Sequence, residues 1–201
     1  MFILKIPVCA VVGYLLGCVN ISILISRTLL GKDVRSFGSG NAGATNMTRV
    51  FGWKPGLAAL IGDAAKAALS LAVGRLAAGD LGMLAAGGAC LLGHCFPLFY
   101  GFRGGKGVSA AAALAFAIDW RVGLCCVGAF LLGALWSRKV SLGSLIAAVV
   151  LFVSAAAFQA SPPKLLLALF ASVLVINRHA ENIKRLLAGR EPDFPSPKKR
   201  A

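Results

Sequence analysis

Gly38-Ser39-Gly40-Asn41-Ala42-Gly43-Ala44-Thr45-Asn46 spells the G-x-G-x-x-G of a dinucleotide-binding loop, and its setting decides the fold. In a βαβ unit that spelling follows a strand and is answered by an acidic residue about 20 residues on. Here the preceding element, residues 3–25, is an apolar run long enough to cross a bilayer. The dinucleotide reading therefore fails, while the physics of the loop survives. Glycines permit φ > 0 and let several backbone N–H groups converge on an anion. Ser39, Asn41, Thr45 and Asn46 add hydrogen-bonding groups, and Arg49 is placed to clamp a phosphate. A flexible glycine-rich connector is the competing reading.

Outward from this loop the chain reads as membrane. Its 201 residues are 58% hydrophobic and 14% charged, with mean hydropathy +0.82, far from the composition of soluble domains. Apolar segments at 3–25, 56–76, 81–100, 108–118, 122–136, 142–158 and 165–176 predict an all-α integral membrane protein of about seven transmembrane helices. The first segment is expected to remain as a span and not to be cleaved. One domain over residues 1–201 is expected, with 190–201 a flexible basic tail. The connectors after spans one, three and five and the C-terminal stretch hold 16 of the 21 Lys and Arg. The positive-inside rule then puts the N-terminus outside and the C-terminus in the cytoplasm. Orientation and anionic lipid head groups account for the net charge of +14, and nothing resembles a nucleic-acid module. The six cysteines fall in apolar segments without C-x-x-C pairs, and His94 beside Cys95 lacks a third ligand nearby, so no metal is assigned.

Two further polar clusters fall on the same predicted side. Gly93 to Ser109 contains Gly104-Gly105-Lys106-Gly107, which misses the Walker pattern because Tyr100 stands where the first Gly belongs and Gly107 where Ser or Thr belongs. The apolar segment after it covers roughly 18 Å, against a hydrocarbon core of about 30 Å. The loop is therefore expected to dip to membrane depth, with the following helix N-terminus aimed at an anionic group. A glycine hinge with a snorkelling Lys106 is the alternative. The third cluster, Asn177 to Leu186, puts His179 and Asn182 on one face of a continuing helix, and also fits an interfacial amphipathic helix. Asp63 and Lys66, at i, i+3 within a span, are expected to pair, as structure or as support for a polar cavity. Ser141 and Ser144 open the sixth span, to cap it or to face the same cavity.

SGNAGATN with a following Arg, GHCFPLFYGFRGGKGVS and RHAENIKRLLAGRE resemble, in order and spacing, the three signature motifs of the bacterial acyl-phosphate glycerol-3-phosphate acyltransferases, the PlsY family. The resemblance implies a multi-pass protein of the bacterial cytoplasmic membrane with its active site facing the cytoplasm. It implies transfer of an acyl group from acyl phosphate to the sn-1 hydroxyl of glycerol 3-phosphate, giving lysophosphatidic acid and phosphate. No cofactor is implied, and membrane lipids and a soluble acyl-phosphate-producing enzyme are the implied partners. Ser39, Arg49, His179 and Asn182 are carried over as catalytic. Gly40, Asn41, Gly43, Thr45, Asn46, His94, Gly104, Gly105, Lys106 and Gly107 are carried over as substrate-binding, with Ser141 and Ser144 added from their position, and Glu191 as structural. Three positions depart from the family pattern: Ala42 for Pro, Ser109-Ala110 for Ala-Thr, and Ala67 for Gly. A phosphate or organophosphate transporter using the same loops is the rival, disfavoured by the few polar groups within spans five to seven.

Overall fold

A computed structural model describes residues 2–194. Nine helices follow one another: α1 (Phe2–Cys18), α2 (Ile21–Thr28), α3 (Ala44–Phe51), α4 (Trp53–Cys95), α5 (Val108–Ile118), α6 (Trp120–Ser137), α7 (Val140–Ala157), α8 (Pro162–Arg178) and α9 (Ala180–Leu187). Single 3-10 turns at Val34–Ser36 and Leu98–Tyr100 belong to the two glycine-rich connectors. Helices suit a bilayer because each satisfies its backbone polar groups within its own segment. Among the described residues four stretches are long and apolar enough to cross a membrane, and α8 with α9, bent by 58°, makes a fifth if the pair counts as one.

The first apolar segment is not one helix. Asn20 interrupts it between α1 and α2 and accepts from Ile23 N at 3.0 Å as N-cap. α4 likewise holds two legs, since Ala78 and Gly79 leave helical dihedrals, Gly79 at φ +60° and ψ −145°. The legs fold back on each other. Ser70 Oγ donates to Ala86 O at 3.0 Å, and a Cβ on Gly74 would lie 2.3 Å from Gly82 O. α1 lies on the second leg with equal closeness. A Cβ on Gly13 would lie 2.2 Å from Ala86 O, and one on Gly17 2.2 Å from Cys90 O. Small residues let backbones touch where lipid supplies no hydrophobic drive.

A core of Leu71, Leu91, Leu114, Leu151 and Leu167 joins α4, α5, α7 and α8. A second cluster of Ile23, Val34, Ala42, Met47 and Ala59 lies under the first glycine loop. Two sequence expectations need amendment. The helix carrying His179 does not continue, for α8 stops at Arg178 and α9 sets off at 58°. The basic tail does not begin at residue 190. Arg190 N donates to Arg185 O at 2.8 Å, Lys139 Nζ to Glu191 O at 3.0 Å and Phe194 N to Arg138 O at 2.7 Å, which ties residues 190–194 to the body. Residues 195–201 of that predicted tail lie outside the described residues.

Candidate active site

The first loop is built around Asn46, which is 1% exposed. Its amide donates to Val34 O (3.1 Å), Phe37 O (3.0 Å) and Asn41 O (3.1 Å), and its Oδ1 accepts from Ser39 N at 2.9 Å. Asn46 therefore organises the loop, with its donors already engaged, although it borders the cavity below. Gly38 and Gly40 take φ +59° and +69°, the left-handed turns that bend the chain round this amide. Asn20 Nδ2 fixes the far end of the loop at Ala42 O (3.2 Å).

The second loop is seated on the end of α4. Gly104 N donates to Cys95 O (3.2 Å) and Gly105 N to His94 O (3.1 Å). Arg35, which sequence reasoning passed over, crosses from the first loop to donate to Tyr100 O (2.7 Å) and Arg103 O (3.0 Å). Asp33 holds that guanidinium at 2.8 Å and also binds Arg27. These arginines, with Asp33 Oδ1 also accepting from Arg35 N, hold its carboxyl well below the usual carboxylate range. A charged clasp therefore locks the two loops together.

Between them lies a cavity of about 700 Å³. From the first loop and α3 it is lined by Ser39, Asn41, Gly43, Thr45 and Arg49. Lys106, Gly107 and Ser109 come from the second loop and α5, Ser141 and Ser144 from α7, His179 from the α8–α9 bend, Asn182 from α9 and His94 from α4. Gly40 and Gly104 line an adjoining cavity of about 510 Å³ that shares Lys106 and Asn182. Gly105 lines neither; it is a packing position, since a Cβ there would lie 2.2 Å from His94 Nε2 and 2.7 Å from Ala42 O. Sequence reasoning missed Arg185 and the apolar wall of Leu60, Phe130 and Phe194. Leu60 and Phe130 were unmarked apolar letters inside spans, and only the fold separates them from lipid-facing neighbours.

Three helix N-termini, those of α3, α5 and α7, border this cavity through Ala44, Val108 and Val140, and none carries a side-chain cap. Their first-turn N–H groups and positive dipole ends favour anions. Arg49 Nε and Ser141 Oγ are buried without a partner among the described residues. Lys106 Nζ donates to Asn182 Oδ1, Asn182 Nδ2 donates to Glu191 Oε1 (2.6 Å), and Arg185 Nε donates to Glu191 Oε2 (2.7 Å). Burial pushes the Lys106 ammonium down to about 8; Arg185, Arg178 and Arg49 push the same way and Glu191 opposes them. Burial likewise pushes His179 down to about 4, against the bond to Val175. His179 Nδ1 lies 2.7 Å from Val175 O. A carbonyl only accepts, so Nδ1 carries the proton and Nε2 keeps its lone pair.

The departures from the family pattern also find places. Ser109 borders the cavity, whereas Ala110 is fully buried in the main core, so the hydroxyl at 109 is the one on the site. Ala42 O receives the Asn20 bond, and Ala67 is a core residue at 3% exposure.

A family model described as glycerol-3-phosphate acyltransferase matches residues 7–189. A glycerol-3-phosphate acyltransferase of Pseudomonas putida is 41% identical over 186 residues, covering 92% of this chain and 97% of that one. One from Thermoanaerobacter sp. is 35% identical over 182 residues, covering 90% and 92%. The crystal structure of PlsY, an integral membrane glycerol 3-phosphate acyltransferase, is similar in its glycerol 3-phosphate form at TM-score 0.90 and 36% identity, covering 94% of this chain and 95% of that one. Its lysophosphatidic acid form gives 0.87 and 35%. The three motifs, the helical membrane fold and these similarities agree: the chain belongs to the glycerol-3-phosphate acyltransferase family, as PlsY does.

Proposed function

We propose that this protein is a glycerol-3-phosphate acyltransferase that takes its acyl group from acyl phosphate and releases lysophosphatidic acid and inorganic phosphate. The observation that carries the reading is the single cavity in which Arg49, Lys106 and Arg185 meet three uncapped helix N-termini and an apolar wall of Leu60, Phe130 and Phe194. Such a cavity suits two phosphate groups and one hydrocarbon tail. The protein is a multi-pass membrane protein. We infer seven crossings, taking the two legs of α4 separately and the short α5 as one, of a bacterial cytoplasmic membrane with the N-terminus outside and the loops facing the cytoplasm, the orientation that the distribution of Lys and Arg favours.

The chemistry asks little of the side chains. Acyl phosphate is a mixed anhydride whose phosphate leaves readily, so the sn-1 hydroxyl attacks the carbonyl carbon directly. The C–O bond to phosphate then breaks, and the hydroxyl proton passes to a base. His179 Nε2 is the base in this reading, the only ring nitrogen of His179 with a free lone pair. Arg49 and Lys106 hold the phosphates, Asn182 fixes Lys106, and Ser39, Asn41, Thr45 and Ser141 supply hydrogen bonds at the rim. Bringing two dianions together is the main obstacle, and fixed positive charge with correct orientation supplies most of the acceleration. An acyl-phosphate-producing soluble enzyme is the proposed supplier of donor.

Purified protein supplied with acyl phosphate and glycerol 3-phosphate, without acyl-CoA, is expected to form lysophosphatidic acid. Uptake of either compound with no acyl transfer would favour the transporter instead. His179→Gln is expected to lower kcat by about 10²-fold or more, in the range of a lost general base; full turnover would remove His179 from that role.

A further inference from the structure

Two carboxylates on the cavity wall have the wrong sign for an anion site; Glu191 has both oxygens bonded, to Asn182 and Arg185, and Asp63 does not. Asp63, from the first leg of α4, borders the cavity and is 1% exposed. One of its oxygens is fully engaged. Oδ1 lies 2.9 Å from Lys66 Nζ and 3.4 Å from His94 Nδ1, and it accepts from Ile21 N at 3.4 Å. Lys66 in turn donates to Gly17 O (3.0 Å) and Val19 O (2.7 Å), and sits 3.2 Å from His94 Nδ1. The other oxygen, Oδ2, is buried with no hydrogen-bond partner among the described residues. A buried carboxylate oxygen left without a donor is costly, and ion pairing of its neighbour keeps the group ionised rather than relieving Oδ2.

We propose that Asp63 Oδ2 accepts a hydrogen bond from the secondary hydroxyl of the glycerol moiety, making Asp63 the residue that selects a polyol phosphate as acceptor. The inference rests on the acyltransferase reading above. A carboxylate oxygen can only accept, and it repels a phosphate. Among the proposed substrates, fully ionised acyl phosphate has no O–H to offer. Glycerol 3-phosphate has two hydroxyls. Its primary hydroxyl is the nucleophile, whose proton goes to His179, so the secondary hydroxyl is the donor left over. The same arrangement explains why the rest of the carboxylate is tied down. Lys66 compensates its charge within the protein, and bonds to α2 and His94 prevent it from swinging toward Arg49 or Lys106. The glycerol end is thereby directed to Asp63, and the phosphate ends to Arg49 and Lys106.

The test compares two acceptors, glycerol 3-phosphate and the monophosphate of propane-1,3-diol, which keeps the primary hydroxyl and lacks the secondary one. With acyl phosphate as donor, the wild-type protein is expected to favour glycerol 3-phosphate by about 10- to 100-fold in kcat/KM, the scale of leaving one buried acceptor without its partner. In Asp63→Asn that preference is expected to fall several-fold or more, through loss on glycerol 3-phosphate alone. Equal use of both acceptors by the wild type overturns the proposal without any variant, so poor folding of Asp63→Asn does not protect it. An Asp63→Asn protein that loses both acceptors by one factor shows a purely structural carboxylate and also overturns it. Absence of acyl transfer to either acceptor by the wild type defeats the acyltransferase reading itself, and this proposal with it.

Discussion

Glycine serves different purposes at Gly40 and at the Gly104-Gly105 pair, which lie in the two loops that enclose the cavity. In the first, Gly40 is needed for its dihedral, φ +69°, since a Cβ there would come no nearer than 3.4 Å to its closest neighbour, Arg35 O, while Gly38 needs both its φ of +59° and its missing side chain, as a Cβ would fall 2.3 Å from Asn46 Oδ1. In the second, Gly107 takes φ +82°, but neither Gly104 nor Gly105 has a positive φ. They are needed for their missing side chains, since Cβ atoms there would fall 2.1 Å from His94 O and 2.2 Å from His94 Nε2. The first loop is a self-contained turn wound round its own asparagine. The second is backbone pressed onto the end of a helix, and only such an immobile support can hold Lys106 at a fixed depth. Two stretches that look alike as letters are thus a flexible-looking loop made rigid from within and an anchored loop made rigid from beneath.

The sharpest way to break this contrast is at the cation the anchored loop carries. Lys106→Met is expected to lower kcat/KM by about 10²–10³-fold, the scale of losing one charged donor to a developing anion; steady-state kinetics on protein of unchanged fold would show it. The same lysine sets a pH limb. Its ammonium, pushed down to about 8, is intact below that pH and is lost above it. The free-enzyme kcat/KM should therefore fall about tenfold per pH unit once past that point. Lys106→Arg keeps its charge throughout and should remove the limb, whatever it does to the plateau.

Smaller effects separate the two kinds of glycine. Gly105→Ala is expected to cost about 1–3 kcal/mol by overpacking against His94 and Ala42 O, with a lower Tm and a loss of activity. Asn46→Ala leaves Val34 O, Phe37 O, Asn41 O and Ser39 N without their shared partner. It should raise the KM for substrate phosphates and cost about 1–3 kcal/mol for each group left buried and unpaired. Gly40→Ala is expected to do least, about 1–2 kcal/mol of dihedral strain with activity within a few-fold. If Gly40→Ala proved worse than Gly105→Ala, the contrast between the loops would be wrong.

The sequence made the membrane class legible through long apolar runs, and the site through three polar clusters on one predicted side. The Asp63–Lys66 pair was visible because i, i+3 spacing constrains neighbours on a helix whatever the fold, and it forms at 2.9 Å. The inward turn of Asn46 was not visible. Its role depends on three carbonyls brought to it by the 3-10 turn at Val34–Ser36 and the loop after it, and no local pattern encodes that convergence. Arg35 was missed for a similar reason: its partners Tyr100 and Arg103 are 65 and 68 residues away. His179 was expected on a straight helix, because neither Pro nor Gly marks the 58° bend in the sequence. Glu191 was carried over as structural from the family resemblance, with nothing in the local sequence to say what it holds; its bonds to Asn182 and Arg185 show that it braces α9 beside the cavity.

The bonds from Lys66 to Gly17 O and Val19 O carry a consequence for assembly. The break in the first apolar segment exposes carbonyls that a continuous helix would have satisfied internally, and one lysine from another helix meets them. Gly13 and Gly17, meanwhile, admit only the backbone of Ala86 and Cys90. A slip of α1 by one residue moves every group about 1.5 Å along the axis and 100° around it. It would drive Cβ atoms into those backbones and strand the ammonium in the same step. Shape and charge thus fix one register twice over, so the N-terminal helix has a single docking position on the hairpin of α4, and misdocked forms are penalised before the active-site loops have closed.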